Sequence, residues 1–271
     1  MTTFSRKANR LDKARLLLKG RYGEPARTRV AHPVEHTLRA ILSEEATASQ
    51  VEQAIARLRE QFADWNDLRV SRPREIRDSL GPDFPRGADK ARVIPRLLDQ
   101  VFKCHNSMVW DFPEAMGKVA TRSYFEALEE VRPFVAATIA RDCVGAHTFP
   151  VDRDVARVLG RLQILDPDAQ TEPEMQALLE RAVRRSRAYE AHWLVKHLAE
   201  DLCVVETPLC GQCPLRKMCP SAVLAPKGKA GGSKRAGAAR KPKKKTVTKH
   251  AARRRTVAKK KRSRRSPKRK R

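Results

Sequence analysis

Asp201–Pro220 reads DLCVVETPLCGQCPLRKMCP and holds four of the six cysteines in the chain, Cys203, Cys210, Cys213 and Cys219, at gaps of six, two and five residues. A loop this short does not gather four thiols for packing alone, so the pattern reads as a closed metal or cluster site. Structural zinc is one candidate. Zinc ribbons usually separate two close Cys pairs by a longer span, whereas here only Cys210 and Cys213 are close, and Pro208, Pro214 and Pro220 stiffen the loop around them. A disulfide framework is not expected, because the N-terminal sequence does not read as a secretory signal.

Upstream, Tyr124–Leu162 reads YFEALEEVRPFVAATIARDCVGAHTFPVDRDVARVLGRL. One helix is expected to end near Glu130. Pro133 suits the first turn of the next, which carries Val135, Ala136 and Ile139, and a third begins after Pro150. Asp152 is a favoured N-cap for that third helix, with its apolar Val155, Val158 and Leu159. A carboxylate at this place is also suited to stabilising a developing positive charge or orienting a water.

The cysteine spacing is similar to the iron–sulfur loop of the endonuclease III family of DNA glycosylases. The segment Gly145, Pro150, Val151, Asp152, Val155, Arg157 and Val158 resembles the helix-hairpin-helix and Gly/Pro–Asp element of that superfamily. The resemblance covers roughly residues 5–220. It implies one [4Fe-4S] cluster on Cys203, Cys210, Cys213 and Cys219, a catalytic Asp152, and double-stranded DNA as partner. The hairpin turn Val131, Arg132 and Pro133 and the basic pair Arg216 and Lys217 would then lie against phosphate. AHWLVKHLAEDLC, Ala191–Cys203, leads into the cysteine loop as its counterpart does in the family, and His197 is expected to bond Asp201 one helical turn on.

Three departures stand out. The family places glycines on either side of the central hydrophobic residue of the hairpin, and this chain has Glu130 and Arg132 around Val131. It has Phe134 where bifunctional members carry the lysine that forms a Schiff base, so strand-cleaving lyase chemistry is not expected unless the fold brings Lys90 or Lys118 to the site. In SEEATASQ, Ser43–Gln50, Glu45 stands where a glutamine enters the duplex in the family. A carboxylate is a poor wedge beside phosphates, which favours a plain helix-to-helix turn.

Composition is uneven along the chain. Of 58 Lys and Arg, 23 lie in residues 221–271, which contain no Asp or Glu, so the body carries about +4 of the total +27. That tail has almost no large apolar side chains, so it is expected to be disordered and to bind a polyanion. DNA is favoured, although RNA or an acidic membrane would satisfy the same charge. No apolar run reaches the length of a membrane span, and a cytoplasmic, nucleoid-associated protein in a reducing compartment is expected.

Helical periodicity marks the rest. Leu11 with Leu16, Leu17 and Leu18 supplies the apolar side of a first helix. Leu38, Ile41 and Leu42, and then Val51, Ile55, Leu58 and Phe62, form core faces. A further helix opens at Lys90-Ala91 with Pro95 as a kink site, and Cys104–Gly117 reads as an irregular connection with a buried thiol at Cys104 and a surface His105. The expected fold is all-α, in two helical domains. Residues 34–149 would form the six-helix helix-hairpin-helix domain. Residues 150–220 would form the cluster domain, with 1–33 packed on it, and 221–271 the tail. The function expected is a monofunctional DNA N-glycosylase of base excision. A catalytically inactive iron–sulfur DNA-binding protein is the alternative, and a bifunctional lyase is less favoured.

Overall fold

Apolar residues recur at three- and four-residue steps along most of the chain, and the computed structural model, which describes residues 3–26 and 32–222, turns these runs into helices. Among the described residues there are twelve α-helices and no strand. They are α1 (Thr3–Tyr22), α2 (Pro33–Ser43), α3 (Ala48–Gln61), α4 (Trp65–Val70), α5 (Pro73–Leu80) and α6 (Gly87–His105). There follow α7 (Phe112–Met116), α8 (Lys118–Glu126), α9 (Pro133–Val144), α10 (Arg153–Arg161), α11 (Glu172–Ala182) and α12 (Arg185–Asp201). The tail expected from residue 221 lies, beyond Ala222, outside the described residues.

The helices enclose two apolar clusters within one compact unit. The first joins Leu38 and Ile41 of α2, Ile55 and Leu58 of α3, Ile94 and Leu98 of α6, Phe125 of α8 and Phe134 of α9. The second joins Leu11 and Leu18 of α1, Val155 and Leu159 of α10, Leu179 of α11, and Leu194 and Leu198 of α12. Leu202 and Leu215 from the cysteine loop belong to that second cluster, so the loop packs into the body and no separate iron–sulfur domain is formed. Helix α9 packs against α2, α8 and α11, while α12 packs against α1 and α10.

Local chemistry sets the helix starts. Thr47 and Gln50 form a capping box at α3, Asp64 caps α4 through the Asn66 and Asp67 N–H groups, and Thr171 and Glu174 form a second box at α11. Pro133 opens α9, where a missing N–H is tolerated. Helix α6 begins at Gly87, before Lys90, and runs without interruption through Pro95 to His105. The stretch read as irregular therefore contains the end of α6 and the short α7, and Cys104 is exposed where burial was expected.

In α1 the apolar face differs from the expectation. Leu11, Ala14 and Leu18 are buried, whereas Leu16 and Leu17 are 56% and 40% exposed. At 100° per residue, positions 11, 14 and 18 share a face and 16 and 17 turn away from it, so adjacency in sequence misleads. Leu18→Ala is expected to cost about 2–5 kcal/mol and Leu16→Ser to stay within about 0.5 kcal/mol, as read by urea unfolding. No described helix is long and apolar enough to cross a membrane.

Candidate active site

Gly145 ends α9 in the left-handed conformation, and residues 146–151 then lead without regular structure to Asp152, the N-cap of α10. Asp152 Oδ1 accepts the Val155 N–H at 2.9 Å. Its Oδ2 accepts two further bonds, from the Glu45 N–H at 3.1 Å and from Lys196 Nζ at 2.6 Å. The Asp152 side chain is fully buried, so this carboxylate is both a helix cap and half of an interior ion pair. Lys196 also reaches Asp154 Oδ2 at 3.2 Å, and Asp154 Oδ1 takes Arg157 Nη1 at 2.6 Å. Burial works against the Lys196 charge, but Asp152 and Asp154 more than offset it and raise the pKa of the ammonium. Burial likewise pushes Asp154 up, and the Lys196 and Arg157 cations overcome it, leaving the carboxyl below its ordinary value.

Lys196 also lines a cleft of about 200 Å³ between α2, α3, α9 and α12. Phe134 and Thr138 of α9 and Trp193, Lys196 and Glu200 of α12 are among the residues that line it. Asp152 does not itself line the cleft; it is bonded to Lys196, which does. Burial raises the pKa of Glu200, partly countered by Lys196 and the Ala48 N–H. His192, also on the cleft, is held well below the ordinary imidazole value by burial, Arg141 and Lys196. With Arg141 Nη1 only 2.9 Å from its Nδ1, neutral His192 accepts at Nδ1.

The two lysines considered from sequence lie elsewhere. Lys90 Nζ donates to the Leu42 and Glu44 carbonyls at 2.9 and 2.6 Å, closing the C-terminal end of α2, and burial pushes its pKa down to about 8. Lys118 is exposed on α8. Sequence reasoning missed Lys196. The available signal was its position four residues after His192, in register with the buried face of α12.

Around Val131 the hairpin is tied internally. Helix α8 ends at Glu126, earlier than expected, and residues 127–132 connect it to α9. Glu130 adopts φ 64, the left-handed backbone that glycine takes most readily, and its carboxylate pairs with Arg96. Arg132 Nε lies 3.0 Å from Glu44 Oε1 and its Nη2 3.0 Å from Glu172 Oε2. Glu172 Oε1 also accepts the Phe134 N–H at 2.8 Å, so one carboxylate holds both the Arg132 cation and the N-terminus of α9. Glu45, at φ 56, lies in the turn between α2 and α3, its carboxylate 3.7 Å from Arg86 and 3.6 Å from Arg153.

In the cysteine loop the expected [4Fe-4S] cluster is overturned. Among the described residues no group of three or more His, Cys, Asp or Glu side chains could hold a metal ion, which removes zinc as well. Cys203, Cys210, Cys213 and Cys219 are free thiols around a small, mostly apolar pocket. Arg161 Nη1 lies 3.3 Å from Cys203 Sγ and donates to the Cys203 and Val204 carbonyls at 3.3 and 2.8 Å, while Cys219 Sγ donates to the Arg161 carbonyl at 3.5 Å. Burial pushes the Cys213 and Cys219 thiols up, so they pack as small neutral groups. Arg216 and Lys217 are exposed, with Arg216 Nη1 3.1 Å from the Gly211 carbonyl. The expected His197–Asp201 bond is replaced by others: Asp201 accepts from Tyr22 at 2.8 Å and Arg21 at 2.9 Å, and His197 lies against Trp193.

This arrangement sits on the fold of DNA-glycosylase structures. A non-covalent endonuclease III–DNA complex superposes with a TM-score of 0.64 at 21% identity, covering 82% of this chain and 97% of that one. A thermostable thymine-DNA glycosylase gives 0.57 at 15% identity, covering 82% and 99%, and an H. pylori 3-methyladenine DNA glycosylase 0.54 at 16%, covering 72% and 97%. In sequence, the Homo sapiens adenine DNA glycosylase is 29% identical over 101 residues, 35% of this chain and 18% of that protein. No family model matches the chain.

Proposed function

We propose that this protein is a DNA N-glycosylase of base excision, hydrolysing the bond between deoxyribose and a damaged or mispaired base. One observation carries the reading: a buried carboxylate, Asp152, is held at the start of α10 and bonded to Lys196, which lines a cleft of about 200 Å³, on a fold shared with DNA glycosylases. In this reading residues 34–149 and 150–220 act as two lobes, with the N-terminal segment on the second and the duplex between them. Asp152 stabilises the positive charge that grows on the sugar as the base departs and orients the attacking water. Phe134 supplies no amine from α9, so water displaces the base. The exposed Arg216 and Lys217 and the basic residues from 221 onward add sequence-independent attraction to phosphate.

A second reading, a DNA-binding protein without chemistry, is favoured by the ion pairs that hold Lys196 over Asp152 and Glu172 against Arg132. Incubation with a panel of lesion-bearing duplexes, followed by alkali, separates the two. The glycosylase reading predicts strand breaks that alkali increases at one or more lesions. Tight duplex binding with no alkali-labile product at any lesion supports the second reading.

The hairpin gives its own expected result. Glu172→Gln removes the carboxylate that neutralises Arg132 and the N-terminus of α9, so duplex affinity should rise several-fold and the salt slope steepen by roughly one unit. Fluorescence anisotropy at two salt concentrations checks this, and an unchanged slope would exclude the hairpin from the interface.

A further inference from the structure

We infer that the Lys196 ammonium takes up the negative charge of a base that departs as an anion, which selects bases with a carbonyl beside the glycosidic nitrogen, such as uracil and thymine. This rests on the glycosylase reading, with the cleft as the seat of the base. Lys196 lines that cleft. An ammonium has three N–H groups, and Asp152 Oδ2 at 2.6 Å and Asp154 Oδ2 at 3.2 Å take two of them. Among the described residues no further acceptor meets Lys196 Nζ, which leaves one N–H for a ligand. Asp152 and Asp154 keep the group charged in spite of its burial. The other cations on the cleft are already paired, Arg39 with Glu35 and Glu52 and Arg141 with Asp142. Glu200 lines it too, without an ion pair to Lys196 among the described residues. With its side chain only 11% exposed, the Lys196 charge stands in place before a base arrives and is little screened by water. One turn earlier on α12, His192 lines the same cleft. Its Nδ1 accepts from Arg141, so the proton lies on the buried Nε2, which has no partner among the described residues. Two donors without acceptors on one helix match a ring with carbonyl oxygens rather than one edged with amino groups.

The step balances without an oxidant or reductant. The C1′–N1 bond breaks, and its electron pair stays on the base, spread from the ring nitrogen onto the adjacent carbonyl oxygen. The free Lys196 N–H donates to that oxygen while the sugar holds the positive charge. Water adds its oxygen to C1′ and gives one proton to Asp152. Lys196 passes a proton to the base, and Asp152 returns one to Lys196 across the 2.6 Å contact. The products are a neutral free base and an abasic sugar, and both side chains end as they began.

The test uses the full chain and duplexes that carry 5-fluorouracil, uracil or thymine opposite guanine, three leaving groups of falling acidity, with free base measured in single turnovers. Lys196→Gln keeps an N–H donor but removes the charge. It should slow thymine release by about 100-fold and 5-fluorouracil release by only about 10-fold, so the dependence on leaving-group acidity steepens. Lys196→Arg keeps the charge and should stay within about 10-fold of the unaltered protein for all three. An equal loss for all three bases in Lys196→Gln would mark a structural role and overturn the inference. If Lys196→Gln does not fold, equilibrium dialysis of free bases against the unaltered chain decides. Affinity should rise as pH passes the base's own pKa, at a lower pH for 5-fluorouracil than for thymine, and cytosine, which does not ionise there, should show no rise. Affinity that ignores the ionisation of the base overturns the inference. Release of purines with none of the three pyrimidines would remove this inference and leave the glycosylase reading standing. Release from no duplex would remove the glycosylase reading, and the dialysis then shows by itself whether the ammonium holds a base anion.

Discussion

Asp152→Asn is expected to abolish base release, lowering it by about 10²–10⁴-fold, while duplex binding stays within a few-fold of the unaltered protein. The size follows from what Asn retains. It is still a good N-cap, because its carbonyl can accept the Val155 N–H, so α10 keeps its start. What is lost is the negative charge that would face the sugar and the acceptor for Lys196. Lys196 keeps Asp154 as a partner at 3.2 Å, so the loss of stability should be moderate, about 1.5–3 kcal/mol. Single-turnover base release and anisotropy binding, run well below the unfolding transition, separate chemistry from folding. Equal losses in both would mean that Asp152 serves only as a cap.

Lys196→Met carries the largest expected effect on stability. It leaves the fully buried Asp152 carboxylate with two backbone N–H donors and no cation, which should cost about 3–5 kcal/mol. Removing both charges in Asp152→Asn/Lys196→Met should recover part of that loss, giving a coupling energy of about 1–3 kcal/mol in a urea-unfolding cycle. The pH dependence has a defined sign. The Lys196 pKa is raised in the folded state, so its contribution is fully present below the unfolded value of 10.5 and is lost as pH rises through the higher folded value. The Asp154 pKa is lowered, so its contribution is present above 3.8 and fades as pH falls through the lower folded value. Unaltered protein should therefore lose stability at the alkaline end, where Lys196→Met is flatter. Parallel curves for the two would show that the ion pair does not contribute to folding.

Much of the scaffold was legible in the sequence because its signals are local. The run Leu38, Ile41 and Leu42 and the run Val51, Ile55, Leu58 and Phe62 declared buried faces through period alone, and Pro133 and Asp152 marked helix starts by their own backbone chemistry. Leu16 and Leu17 misled because a cluster of adjacent leucines spans more angle than one helix face. The cysteine loop misled in another way: spacing puts four thiols in one segment, but whether they gather around an ion depends on the three-dimensional path of the loop, and here Arg161 and the apolar pocket take up those sulfurs. The decisive contacts of the candidate site are long-range and carry no sequence signature. Asp152 meets Lys196 across 44 positions, and Arg132 meets Glu172 across 40. Phe134 could be seen to lack an amine, but the Lys196–Asp152 contact exists only once α12 packs against α10.

The most direct measurement is detection of free base. The full chain is incubated with a set of duplexes, each carrying one damaged or mispaired base, and the solution is analysed for released base by mass spectrometry. The glycosylase reading predicts stoichiometric release from at least one duplex and none with Asp152→Asn. Firm binding of the duplexes with no base released from any of them would contradict it and leave a DNA-binding scaffold in its place.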